Sequence, residues 1–195
     1  KEESLGSLAS IIKLKNKDFA EERVLTNSAA QGVLDQRDFF EKDIAQKGKL
    51  NGYYIVNKGD FVYNPRVSNL APVGPISRND IGKGVMSPLY TIFRFNVSET
   101  DFFVQFFKSS NWHSYLKSTA NQGARHDRMA VTNAVLLDMP ILIPSKEEQQ
   151  RIASFLTSFD DLIILEKEKL NYLSKHKKGL LQQLFPSSLN KKGGK

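Results

Sequence analysis

The sequence predicts an α+β domain of mixed α/β character followed by one long C-terminal coiled-coil helix. Three observations carry that prediction. Residues 1–144 are rich in Phe, Val, Ile and Tyr and are broken by Gly, Pro and Asn into short runs, as in a domain of short strands and helices. From Ile152, steps of four and three lead through Leu156, Phe159, Ile163, Glu166, Leu170, Leu173, Lys177, Leu180 and Leu184, and eight of these ten positions are apolar. That is a heptad seam of about five repeats, the pattern of a helix packed along another helix. The third is punctuation. Ser145 and Glu148 form a capping-box pair just after Pro144, and Pro186 closes the run. A helix over 146–185 would be roughly 60 Å long at 1.5 Å per residue.

Taken in order, Leu5, Leu8, Ile11 and Ile12 stand at helical spacing and predict a short opening helix, with Ser4 or Ser7 as its cap. Short strands are expected at Arg23–Thr26, Gly32–Leu34, Gly52–Val56 and, after the turn Lys58-Gly59-Asp60, at Phe61-Val62-Tyr63. Leu70 to Ile81, dotted with Pro and Gly, reads as loop or edge structure, and Leu89–Phe95 alternates enough for a half-buried strand. Ser98 to Asp101 begins a second helix. Phe103, Phe106, Phe107, Trp112, Tyr115 and Leu116 then lie at helical spacings and read as core rather than as a binding platform. Asn121 to Arg128 reads as a polar loop, and Met139–Pro144 as a final strand feeding the long helix.

The chain of 195 residues carries a net charge of +7, unevenly spread. Residues 1–145 hold 18 basic and 15 acidic side chains, whereas no acidic residue follows Glu168 and seven lysines do. Such a basic balance invites an anionic partner, nucleic acid first. The same lysines also suit a solvated tail over 187–195 that complements the helix dipole. There is no cysteine, which excludes disulfides and thiolate chemistry and fits a cytoplasmic protein. No 18-residue apolar stretch exists, so no membrane span or membrane partner is expected.

Catalytic patterns are missing. Neither a Gly-x-Gly-x-x-Gly nor a Walker A sequence occurs, and Gly82-Lys83-Gly84 is too short to cradle a phosphate. His113, His126 and His176 are scattered without cysteines, which argues against a metal site. No Asp or Glu has a Lys two positions later, as many metal-dependent nucleases do. Asn64-Pro65-Arg66-Val67 starts like the Asn-Pro-Pro-aromatic motif of adenine methyltransferases but lacks its last two members. The chain is therefore expected not to be an enzyme.

Ile143-Pro144-Ser145, Glu148-Gln149-Gln150-Arg151-Ile152-Ala153-Ser154-Phe155-Leu156, Asp160, Ile163 and Lys177 through Leu180-Leu181-Gln182-Gln183-Leu184-Phe185 resemble the spacer helix of type I restriction-modification specificity subunits. Upstream, Gly32-Val33, Phe39-Phe40, Lys58-Gly59-Asp60-Phe61-Val62-Tyr63-Asn64-Pro65 and Gly84-Val85-Met86-Ser87-Pro88-Leu89-Tyr90 resemble one class of that family's target-recognition domains. The resemblance implies a target-recognition domain over 1–144 and a spacer helix over 145–186 that reads DNA for a multisubunit enzyme. S-adenosylmethionine would sit on modification subunits, ATP and Mg on partner subunits, and no cofactor on this chain. A complete subunit of the family has two recognition domains and two helices, and this chain has one of each. It is either a half-subunit working as a homodimer or a fragment, the second half of a longer subunit.

Two readings stand side by side. In the first, the domain docks on double-stranded DNA, phosphate contacts set the register and forked donors read base edges. Its candidates are Asn64, Arg66, Asn69, Arg78, Lys83, Arg125, His126 and Arg128, with the Arg125-His126-Asp127-Arg128 loop foremost. Singly, each also reads as a solvated charge or turn residue; Asn64 in particular can bond its own backbone. In the second, the protein is a coiled-coil scaffold that never touches nucleic acid, a reading kept open by the small excess charge of the domain. On either reading Glu166 and Lys177 interrupt the seam, and antiparallel pairing would set them face to face, whereas parallel pairing would stack like charges.

Overall fold

The computed structural model describes residues 1–17, 20–39, 50–122 and 127–185. Arg125, His126, Phe40, Pro186 and the expected tail 187–195 lie outside the described residues. The chain opens with strand β1 (Glu2–Ser4), one helical turn α1 (Leu5–Leu8) and strand β2 (Ala9–Ile12). The expected opening helix is thus cut short. Ile11 and Ile12 are strand residues opposite Phe93 and Ile92, because sheet pairing outweighs a weak local helix preference. Ser4 occupies the cap position without a side-chain bond, and the Ser7 hydroxyl donates to the Ser4 carbonyl at 2.7 Å.

Strands β3 (Leu25–Ser28) and β4 (Gly32–Asp35) form a hairpin, followed by the turn α2 (Gln36–Phe39). Strand β5 (Tyr54–Val56) follows a 3-10 turn, and β6 (Phe61–Tyr63) follows the expected turn at Asp60. Within the stretch read as loop or edge, Ile76–Arg78 is a true edge strand, β7. Gly84–Met86 forms a further strand, β8, paired antiparallel with β5. A Cβ on Gly84 would stand 2.6 Å from Leu25 and 2.8 Å from the Arg23 carbonyl, so only glycine lets β8 lie this close to the start of β3.

Strand β9 (Thr91–Phe95) completes a four-stranded antiparallel sheet in the order β2-β9-β6-β7. Its Phe93 and Phe95 face is buried, whereas on the other face Ile92 is buried and Arg94 is exposed. Phe61, Phe93 and Phe95 face α3 (Asp101–Lys108), where Phe95 stacks on Phe103 with ring centroids 4.0 Å apart. Val62 and Ile92, one residue out of phase, pack with Leu25, Val33, Val56 and Met86. Trp112 and Leu116, flanking and within α4 (His113–Thr119), extend the aromatic side of the core, as the helical spacing of those residues predicts.

Of the stretch read as a polar loop, Asn121 and Gln122 form a strand, and residues 123–126 lie outside the described residues. Strands β10 (Asn121–Gln122) and β11 (Met129–Ala130) pair antiparallel. Helix α5 (Asn133–Leu137) is capped by Thr132, whose hydroxyl accepts from the Val135 amide. Strand β12 (Pro140–Leu142) pairs with β1, and the backbone bond from Ile143 N–H to the Lys1 carbonyl, 2.7 Å, ties the two ends of the domain together.

Helix α6 (Lys146–Leu184) follows the predicted span, 39 residues or about 58 Å. One half of the capping box forms: the Glu148 amide donates to Ser145 Oγ at 3.3 Å. It is the Glu147 carboxylate that is held below its usual range, by a backbone amide and by Ser145. The chain divides after Gln150 into two compact units. In the second, the seam residues Leu156, Phe159, Ile163, Leu170, Leu173, Leu180 and Leu184 are all exposed, and Ile152 is half-buried. Phe155, Leu162, Leu165, Tyr172 and Leu181, off the single seam, are exposed as well, so the apolar surface is broader than one stripe.

Candidate nucleic-acid interface

Two groups of the predicted residues emerge, at opposite ends of the β6–β7 ladder. In that ladder Phe61 pairs with Arg78 and Tyr63 with Ile76, so Arg78 and Lys83 fall near one end and Asn64, Arg66 and Asn69 near the other. Asn64 is the anchor of the second group. Its Nδ2 donates to the Asn27 carbonyl at 2.9 Å and its Oδ1 accepts from the Arg66 amide at 3.0 Å, the local backbone bond foreseen for it. Asn27 itself is buried and donates to the Val62 and Pro75 carbonyls, while its Oδ1 has no hydrogen-bond partner. The chain returns to β7 through Gly74, whose φ of 82° and contact with the Asn64 carbonyl exclude any side chain. Tyr63 closes this turn from inside. Its hydroxyl donates to the Val73 carbonyl at 2.9 Å, and burial pushes the phenol well above its ordinary pKa.

This anchored corner meets the hairpin that carries Arg128. Val67 N–H donates to the Asp127 carbonyl at 3.0 Å and Met129 N–H to the Pro65 carbonyl at 2.9 Å, making Arg66 and Arg128 direct partners across an antiparallel bridge. Partners across such a bridge present their side chains on the same face. Between them stands Asp127, whose Oδ2 lies 3.7 Å from Arg66 Nη2 and 3.9 Å from Arg128 Nε. Neither distance is a hydrogen bond. The Arg66 side chain is 61% exposed and that of Arg128 28%, and the buried Arg128 Nε has no hydrogen-bond partner. Asn69 is exposed on the adjoining loop.

The other group is of a different kind. Arg78 donates to Asp80 at 2.7 Å, to Asp101 at 2.6 Å and to the Thr100 hydroxyl at 3.0 Å. Burial opposes its charge, but the bonds to Asp101 and Asp80 and their charges prevail and raise its pKa. These bonds fasten the first turn of α3 to β7. Arg94 is engaged in a similar way, its fork gripping the fully buried Asp60 carboxylate at 2.6 and 3.1 Å. Lys83 is exposed on the loop before β8. The structure therefore groups Asn64, Arg66, Asn69 and Arg128, sets Arg78 and Lys83 apart, and supplies Asp127 and Asn27 as members of the first group. Asp127 entered the sequence reading only within the Arg125-His126-Asp127-Arg128 loop and Asn27 not at all, because Asp127 meets Arg66 from 61 positions away. Among the described residues no cluster of metal-ligating side chains occurs, and no helix is long and apolar enough to cross a membrane.

Residues 12–175 match the type I restriction modification DNA specificity domain, more than half of the chain, and the chain belongs to that family. A curated relative, the type I restriction enzyme MjaVIII specificity subunit of Methanocaldococcus jannaschii, is 37% identical over 73 residues, 37% of this chain and 16% of the relative. The fold resembles the HsdS subunit from Thermoanaerobacter tengcongensis, with a TM-score of 0.60 and 14% identity over 98% of this chain and 51% of that one. A second solved chain, from work on complex assembly and conformational transition of the type I R-M system, matches all of this chain and 50% of its own length with the same score and identity. The chain thus spans about half the length of the solved chains it matches.

Proposed function

We propose that this chain reads one half of a bipartite DNA target for a type I restriction-modification enzyme and does no covalent chemistry itself. The observation that supports this most is the family match, which runs without a break from the domain into the long helix. The geometry agrees with it. Arg66 and Arg128 share one face, partly exposed and loosely paired, where long forked donors suit phosphates and guanine edges. In this reading α6 pairs antiparallel with a second such helix, from another copy or from another half of a longer chain. The helix and the domain together dock modification subunits that hold S-adenosylmethionine and, through them, a restriction subunit that uses ATP and Mg. The scaffold reading without DNA is the less supported one, since the family is named for DNA specificity.

The test is a salt titration of the full chain on duplex DNA. Binding is expected to weaken steeply with salt, with a slope of about −0.9 in log K per phosphate neutralised. Binding that is absent at low salt sinks the proposal. Thermal-shift titration with S-adenosylmethionine is expected to leave the melting temperature of this chain unchanged, and a clear rise would overturn the division of labour.

A further inference from the structure

We propose that Asp127 is an internal stand-in for phosphate on the DNA-reading surface, an anion that DNA must displace from Arg66 and Arg128. This rests on the DNA-reading function proposed above. The arginines of this domain are paired in two different ways. Arg78 meets two carboxylates at 2.6 and 2.7 Å, and Arg94 grips Asp60 at 2.6 and 3.1 Å. Those pairs are closed and bind elements to one another. Arg66 and Arg128 instead share a single carboxylate oxygen at 3.7 and 3.9 Å, beyond hydrogen-bond reach of either. The Asp127 side chain is half exposed, and its backbone carbonyl is already fixed by the Val67 amide. Its carboxylate can therefore swing away without disturbing the bridge.

One anion between two guanidinium groups leaves the trio with a single net positive charge. A phosphate arriving at that face meets Asp127 as a like charge, and gains the full pull of both arginines only once the carboxylate has moved. Duplex of any sequence pays this repulsion. DNA that also satisfies the base-reading donors offsets it. Asp127 thus lowers the affinity for every duplex alike, so that duplex held by phosphate contacts alone is shed at protein concentrations where a site whose bases are also satisfied stays bound.

The experiment compares the native chain, residues 1–195, with Asp127→Asn, which keeps the shape of the side chain and removes the charge, on a duplex of arbitrary sequence. Asp127→Asn is expected to bind about fivefold more tightly at low salt, the order expected for removing a unit charge a few ångströms from a phosphate in water. Its salt dependence is expected to steepen as well. Arg66→Gln in the Asp127→Asn background is expected to reverse the gain. Unchanged affinity in Asp127→Asn, while the native chain binds with a normal salt slope, overturns this inference alone. Weaker binding by Asp127→Asn also overturns it, because the carboxylate would then be holding the arginines in place or contacting a base. Salt-dependent binding by neither protein overturns both this inference and the DNA-reading function.

Discussion

Asn64 shows how a residue can belong to an interface without touching a ligand. Its amide group is used up by the Asn27 carbonyl and the Arg66 amide, so its contribution is the direction in which Arg66 leaves the sheet. Asn64→Ala is expected to cost about 1–2 kcal/mol, since a partly buried carbonyl and amide lose their partners; chemical denaturation checks this. Gly74→Ala strikes the same corner harder, because a Cβ would meet the Asn64 carbonyl in a left-handed backbone conformation. A loss of at least about 2 kcal/mol is expected. His113 offers a pH test. Burial and the charge of Lys117 lower its pKa, so the folded state prefers the neutral imidazole. That contribution is present above the ordinary histidine value, about 6.5, and is lost as pH falls through it. His113→Gln is expected to flatten the decline in melting temperature on the acid side of that value.

At the scale of elements, β9 and α6 illustrate what local sequence reveals and what it hides. The heptad steps, the serine cap and the terminal proline mark α6 to within a residue, because a helix is specified by periodicity along a single segment. Strands need partners. Ile11 and Ile12 satisfy a helical spacing, yet pair with β9, and Ile76–Arg78 lacks any pattern until β6 lies beside it. The candidate site was legible in the same uneven way. Arg66 and Arg128 could be picked out as forked donors in polar stretches, but their pairing with Asp127 arises from a bridge between distant segments. For α6, the proposed antiparallel pairing predicts that Glu166→Lys weakens self-association and that Glu166→Lys with Lys177→Glu restores it, as read by sedimentation. Among the described residues Glu166 pairs with Lys169 at 3.7 Å, an exposed pair of small worth that leaves it available to a second helix. A double variant no better than the single one rules out this register.

For the whole molecule, the informative comparison is between the domain's two ends and its middle. Every strand of the central sheet is short, and the ladder between β1 and β12 is what holds the first residues against those that lead into α6. Removing residues 1–4 is expected to lower the melting temperature by roughly 4–8 °C, the equivalent of about 2 kcal/mol at this chain length.

The same ladder sets a schedule for folding. During synthesis β1 emerges about 140 residues ahead of its partner, and the bond from the Lys1 amino group to the Ile143 carbonyl spans 142 positions. At roughly 5–20 residues per second, β1 waits on the order of 7–30 s on the ribosome with its edge unpaired. Neighbouring hairpins such as β3–β4 close within that interval, β2 must await β9, and the clasp of β1 on β12 comes last. The nascent domain therefore becomes resistant to protease at its N-terminal strand only when the polypeptide has been extended into α6, so that the order of translation fixes the order in which the two ends of the domain are secured.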